Sequence, residues 1–281
     1  MNKTKLYFCL FLFILSCLYL KGLCKNISFM DFILGNKSLS SIQVLSNKKF
    51  SDPVSFLSFN DKTFSRIKEV SSIKKNVNNG SSKLVKVYIY NTHQTEEYAS
   101  NVYGITPSVR TVSDILYSEL KSNGINSLVE KRDIIKETKK RGYDYTGTYT
   151  VSFDYLTDSK KNNPSLEYFF DLHRDSITGE YARTKINEKD YATMMFLVGA
   201  SHDDYQKNVN NVNIMKKYLD DNYPGLVRDT YIQKKCSFFQ DYSPKMFLVE
   251  IGGPDNTLEE IYNTTKALSL AIKYYMEVDN G

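Results

Sequence analysis

The chain contains three histidines, and two of them stand in polar segments at the ends of apolar, strand-like runs. His93 belongs to Asn91-Thr92-His93-Gln94-Thr95-Glu96-Glu97 after the run 85–91, and His173 to Asp171-Leu172-His173-Arg174-Asp175 after the run 166–171. The spacing His93-x-x-Glu96 sets an imidazole and a carboxylate one turn apart, able to grip two corners of a tetrahedral ion while the distant His173 takes a third. A fourth corner open to water is what separates a catalytic zinc site from a closed structural one, and no cysteine is needed. Glu250 ends a third run, 246–250, just ahead of Gly252-Gly253. It is placed like a general base near the edge of that metal site.

Plainer uses exist for each residue. A His-x-x-Glu spacing recurs by chance in surface turns, and His173 could simply pair with Asp171 or Asp175. His202, in Ser201-His202-Asp203-Asp204, could substitute as a ligand but fits better in an exposed loop that caps a following helix. Glu97 competes with Glu96 but is one position off the ligand spacing.

These residues need a scaffold that brings strand ends together. From residue 83 onward short apolar runs alternate with helical patterns, the signature of an α/β domain with a mixed, mostly parallel central sheet flanked by helices. Strands are expected at 85–91, 128–131, 166–171, 192–198 and 246–250. Helices are expected at 109–122, stopped by Gly124, at 205–222, closed by Tyr223-Pro224-Gly225, and at 257–276. The stretch 145–157 allows either, since Thr, Val and Tyr favour strand while its apolar spacing suits a helix. In an open parallel sheet the ligand crevice lies outside the carboxyl ends of the strands, and neighbouring strands run about 4.8 Å apart, so two strand-end histidines can face one ion.

The rest of the chain supplies an address. Lys3 and Lys5 precede an apolar run over 6–20, after which Lys21 and Lys25 restore polarity. At about 1.5 Å per residue the run suits a cleavable signal by length, but no small-x-small site follows it, which favours a retained signal anchor over 1–25. Ile14-Leu15-Ser16-Cys17 is a poor lipobox because Leu15 is bulky. Residues 26–84 are rich in Ser, Asn and Lys and read as a spacer, with aromatics over 50–64 that could dock locally. A catalytic domain over 85–281 remains. Of four cysteines, Cys236 alone lies beyond Cys24, so no disulfide framework can be built and Cys236 reads as a free thiol. The net charge of +5 is mild and spread along the chain. That suits work beside an anionic membrane or wall and argues against a nucleic-acid partner, whose footprint would be concentrated.

The blocks Tyr90-Asn91-Thr92-His93-Gln94-Thr95-Glu96-Glu97-Tyr98, Asp171-Leu172-His173-Arg174-Asp175-Ser176, Gln240-Asp241-Tyr242-Ser243-Pro244 and Leu248-Val249-Glu250-Ile251-Gly252-Gly253 through Asn256-Thr257-Leu258-Glu259-Glu260 resemble the stage II sporulation protein P family. The likeness runs over about 83–278, with Asn91 where the family often has His and Phe239 where it often has Asn. It implies a zinc-dependent N-acetylmuramoyl-L-alanine amidase of amidase or zinc-carboxypeptidase-like three-layer fold, with possible endopeptidase activity, remodelling peptidoglycan during engulfment from an extracytoplasmic, membrane-anchored position. Stage II sporulation proteins D and M are the implied partners. On this reading zinc is held by His93, Glu96 and His173. Glu250 moves the proton, and Arg174 steadies an oxyanion or a stem-peptide carboxylate, or instead pairs with Asp175 or Asp171. Asp171 or Asp175 orients a ligand histidine. The rival readings are a zinc carboxypeptidase-like peptidase and a non-catalytic wall-binding module.

Overall fold

The computed structural model describes residues 84–99 and 106–280. The expected signal or anchor, the poor lipobox at Cys17 and the spacer up to residue 83 lie outside the described residues. Among the described residues no helix is long and apolar enough to cross a membrane. Residues 82–281 form a compact unit by themselves.

Its centre is a six-stranded sheet in the order β2-β1-β3-β8-β6-β7. The strands are β1 (Val87–Tyr90), β2 (Ser127–Val129), β3 (Tyr168–His173), β6 (Met194–Gly199), β7 (Tyr231–Gln233) and β8 (Met246–Ile251). β2, β1, β3 and β8 run parallel, β6 turns antiparallel against β8, and β7 follows β6 in parallel. The architecture is therefore mixed and mostly parallel, as the alternation of runs implies. A separate antiparallel hairpin, β4 (Arg183–Ile186) with β5 (Lys189–Ala192), turns through Asn187 and Glu188, both at positive φ.

Strand alternation sorts side chains onto two faces. Val87 and Ile89, Tyr168, Phe170 and Leu172, and Phe247, Val249 and Ile251 are buried in one cluster with α1 (Val109–Ser122), α4 (Tyr205–Asn222) and α5 (Leu258–Asp279). Tyr88, Tyr90, Phe169 and Met246 point the other way and meet Leu156 of α3 (Thr148–Asn162), beside which lies α2 (Ile134–Lys140). Asp171 and His173 share the parity of Phe169, and Glu250 that of Met246. The three polar groups thus belong to the α3 face.

Local chemistry explains most element boundaries. Thr257 caps α5 by accepting from Glu260 N at 3.2 Å, and Glu260 answers by accepting from Thr257 N at 2.7 Å, a reciprocal box at the helix start. The ambiguous stretch 145–157 is helical. Asp144 accepts from Thr146 N and Gly147 N, opening a 3-10 turn, Tyr145–Gly147, that continues into α3. A cap and a sheet to pack on outweigh the strand propensity of its Thr, Val and Tyr residues. The expected strand 192–198 is two elements broken at Thr193, whose N donates to Ala182 O, outside the sheet. The strand expected over 128–131 ends at Val129, and α2, β7 and the hairpin have no counterpart in the sequence reading because each is short and weakly patterned.

Candidate metal centre

His173 is the last residue of β3 and sits in register with Glu250 of β8, while His93 and Glu96 occupy the turn after β1, the other neighbour of β3. The parallel order of these three strands delivers all four side chains to one edge. One ligand atom each from His93, Glu96 and His173 can be chosen so that all lie within 4.8 Å of one another. His93 Nδ1 is 3.2 Å from Glu96 Oε1, and His173 Nδ1 is 3.6 Å from Glu96 Oε2. Bond lengths of about 2.0–2.1 Å to a tetrahedral zinc give ligand-to-ligand edges of about 3.3–3.4 Å; each histidine stands near that distance from one oxygen of Glu96, so the donor types and their clustering suit such an ion. Glu97, the sequence competitor of Glu96, is exposed and bridges to Ser108 instead.

The surrounding hydrogen bonds hold the carboxylates in place. Arg174 N donates to Glu96 Oε2 at 2.8 Å. Asp171 accepts from Thr92 N at 2.8 Å and Thr92 Oγ1 at 2.6 Å, and its Oδ2 lies 3.0 Å from His173 Nε2. That last approach is too poorly aligned to satisfy the buried ring nitrogen, so we read it as a short electrostatic contact. Burial pushes the Glu96 carboxyl up, but hydrogen bonds from His173 and His93, the His173 charge and Arg174 N bring it down to about 2. Burial lowers the His173 pKa, and Asp171 and the other carboxylates overcome this and hold it well above the ordinary value.

Glu250 is the odd member. Its Oε2 is sealed from solvent and has no hydrogen-bond partner among the described residues. Burial, with help from the negative charges of Glu96, Asp175 and Asp171 and against the pull of His173, raises its carboxyl to about 7. Behind it Gly252, at φ 63, and Gly253 make the turn; a Cβ on Gly253 would stand 1.7 Å from Ile177 O, so only glycine lets this loop lie against 174–182.

The remaining candidates fall around this cluster. Arg174 donates through Nη1 to the Asp175 carbonyl at 3.0 Å, while the Asp175 carboxylate is held by Arg228 Nη2 at 2.6 Å. Arg228 carries no sequence signal, since it lies in a loop between α4 and β7. Asn91 donates to Val109 O and Leu172 O and accepts from Ser113 Oγ, tying β1, α1 and β3 together, so Asn at this position serves the scaffold. Phe239 stacks on Phe153 with ring centroids 4.4 Å apart. His202 is half-buried outside the cluster. The sequence reading missed the aromatic wall: Tyr145 stacks on His93 at 4.6 Å, and Tyr149 meets His93 edge-on at 5.2 Å. The spacing of Tyr145, Tyr149 and Phe153, four apart along a helix, was the available signal.

The chain is similar to known proteins in the same region. The sequence model of the family described as Stage II sporulation protein P matches residues 30–273. A Stage II sporulation protein P of Bacillus subtilis (strain 168) is 31% identical over 194 residues, covering 64% of this chain and 48% of that protein, so the chain spans about half the length of this relative. Among solved structures, the N-acetylmuramoyl-L-alanine amidase AmiC2 of Nostoc punctiforme is 12% identical with a TM-score of 0.43, covering 70% of this chain and 99% of that one. The CwlD amidase from Clostridioides difficile, solved in complex with the GerS lipoprotein, is 12% identical with a TM-score of 0.45, covering 69% and 100%.

Proposed function

The chain belongs to the stage II sporulation protein P family, and from that premise we propose that it is a zinc-dependent N-acetylmuramoyl-L-alanine amidase acting on peptidoglycan during engulfment. The single observation that carries this reading is the meeting of His93, Glu96 and His173 within 4.8 Å beside a carboxylate, Glu250, that has a buried oxygen without a partner. Glu250 is left unsatisfied where every neighbouring carboxylate is hydrogen-bonded, and such a group is costly unless it serves a reaction.

Zinc bound by His93, Glu96 and His173 would supply an acidified water and polarise the scissile carbonyl. The chain's own residues do the rest. Glu250, with a pKa raised to about 7, is suited to take the attacking water's proton and return it to the departing amine of L-alanine, because a base works best when its pKa lies near the working pH. Asp171, pinned by Thr92, orients His173, and Arg174 N fixes Glu96. Arg174 is available to steady substrate charge, with Nη1 resting on the Asp175 carbonyl. The proposal includes a membrane tether through residues 1–25, a spacer up to residue 84, and stage II sporulation proteins D and M as partners.

Digestion of purified muropeptides followed by mass analysis tests it. Release of stem peptides with L-alanine at the amino end, together with stoichiometric zinc in the protein, is the expected result. Loss of a single carboxyl-terminal residue would point to a peptidase instead, and a protein that takes up no zinc would leave only a wall-binding role.

A further inference from the structure

The edge-on contact between Tyr149 and His93 comes from a wall that the ligand set does not require. Tyr149 lies in the first turn of α3, its ring 5.2 Å from that of His93 and 6.3 Å from that of His173, nearly parallel to the latter at 17°. The ring is held from behind by Phe238 at 5.5 Å, a residue at φ 52. Phe239 follows at φ 57 and stacks on Phe153, one helical turn along α3 from Tyr149. Two successive phenylalanines in the left-handed region are an unfavourable backbone arrangement, of a kind that persists where the surroundings demand it and that clusters at functional sites. α3 itself is anchored to the turn that carries His93, through the 2.9 Å contact of Ser152 Oγ with Thr92 Oγ1. Tyr149 is thus fixed against both histidines from two independent sides.

The phenol of Tyr149 is only half-buried, and its hydroxyl has no hydrogen-bond partner among the described residues. A phenol keeps its proton at neutral pH, so it can act as an O–H donor. Arg174, the donor suggested by sequence, has Nη1 on the Asp175 carbonyl and keeps a buried Nε without a partner among the described residues, so Tyr149 is a second donor beside the histidines and not a replacement for Arg174.

The geometry points to Tyr149 as a further catalytic residue, whose hydroxyl donates a hydrogen bond to the carbonyl oxygen of the scissile amide as that oxygen gains negative charge. This rests on the amide-hydrolase reading. The phenol keeps its proton throughout: the C–N bond of the amide breaks, water supplies the new oxygen, and the proton that reaches the amine travels through Glu250. A donor fixed in advance toward developing charge, in a site from which water is largely excluded, is worth about a hundredfold or more in turnover.

Tyr149→Phe keeps the ring, and with it the contacts to His93, His173 and Phe238, while removing only the hydroxyl. With zinc-loaded protein and muropeptide substrate, kcat is expected to fall about a hundredfold with KM little changed. Zinc content and thermal unfolding are expected to match the parent. A phosphinate analogue of the tetrahedral intermediate should bind the variant more weakly by a similar factor. A variant with parental kcat and analogue affinity overturns the assignment, as does one that loses zinc or unfolds early, since the residue would then be structural. A parent that cleaves no muropeptide overturns the amidase reading and this assignment together, whereas an active parent with an unaffected variant overturns this assignment alone.

Discussion

Two glutamates sit at the same edge of the sheet and live in opposite environments. Glu130 directly follows β2, and Glu250 lies at the end of β8, three strands away. The Glu130 carboxylate accepts from Tyr88 Oη at 2.5 Å, Arg132 N at 2.7 Å, Arg132 Nε at 3.0 Å and Arg132 Nη2 at 2.7 Å. Burial raises its pKa, but these donors more than reverse the effect and hold it below the ordinary value. Glu250 has a sealed oxygen with no donor among the described residues, and its pKa is raised to about 7. The two differ only in what their neighbours offer. A carboxylate surrounded by donors is a strut. One set among other carboxylates without such donors is held near neutrality, and it is the proton carrier of the proposed mechanism.

Removing the histidines of the site should give the largest effect. His173→Ala and His93→Ala are each expected to abolish stoichiometric zinc binding and to reduce muropeptide cleavage to background, while circular dichroism stays parental because the strands are held by their apolar faces. Full zinc retention in either variant would assign that histidine to the scaffold.

The two glutamates can then be contrasted directly. Glu250→Gln is expected to keep its zinc and lose roughly a hundredfold to ten-thousandfold in kcat, the usual loss for a general base. Zinc lost in step with activity would make Glu250 a ligand. Glu130→Gln, by contrast, should leave kcat within a fewfold of the parent and cost about 2 kcal/mol in denaturant unfolding, since Arg132 and Tyr88 lose charge-assisted partners but Arg132 is partly solvated. A large drop in kcat with parental stability would erase the distinction between strut and proton carrier.

The smallest effect sharpens the comparison through pH. In metal-free protein the folded-state pKa of Glu250, about 7, exceeds the ordinary 4.5. The folded chain therefore keeps a proton that the unfolded chain has released, and the stability this carboxyl contributes is full below about 4.5 and lost as pH rises through about 7. Relative to Glu250→Gln, the metal-free parent should lose about 1–2 kcal/mol between those pH values, a discounted figure from roughly 1.4 kcal/mol per pKa unit. Parallel stability profiles for the two proteins would show that Glu250 is not raised.

Much of this molecule is readable from its residues, and the reasons are local. Helices α1 and α4 follow from apolar spacing and stop signals, because a helix buries one stripe and its ends need stops. The strands that carry His93, His173 and Glu250 announce themselves as short apolar runs bounded by polar residues. The residue types also limit the chemistry, since two histidines and a glutamate at strand ends can hold an ion whatever surrounds them. What no local pattern could decide is which strands are neighbours. The register of His173 with Glu250 and the reversal of β6 both depend on pairings between residues far apart in the chain. The same is true of the roles of Glu130, Arg228 and Tyr149. Each is an ordinary residue until tertiary packing sets the donors, charges and walls around it, because a side chain's pKa and its freedom to bond are properties of the neighbours it meets in space.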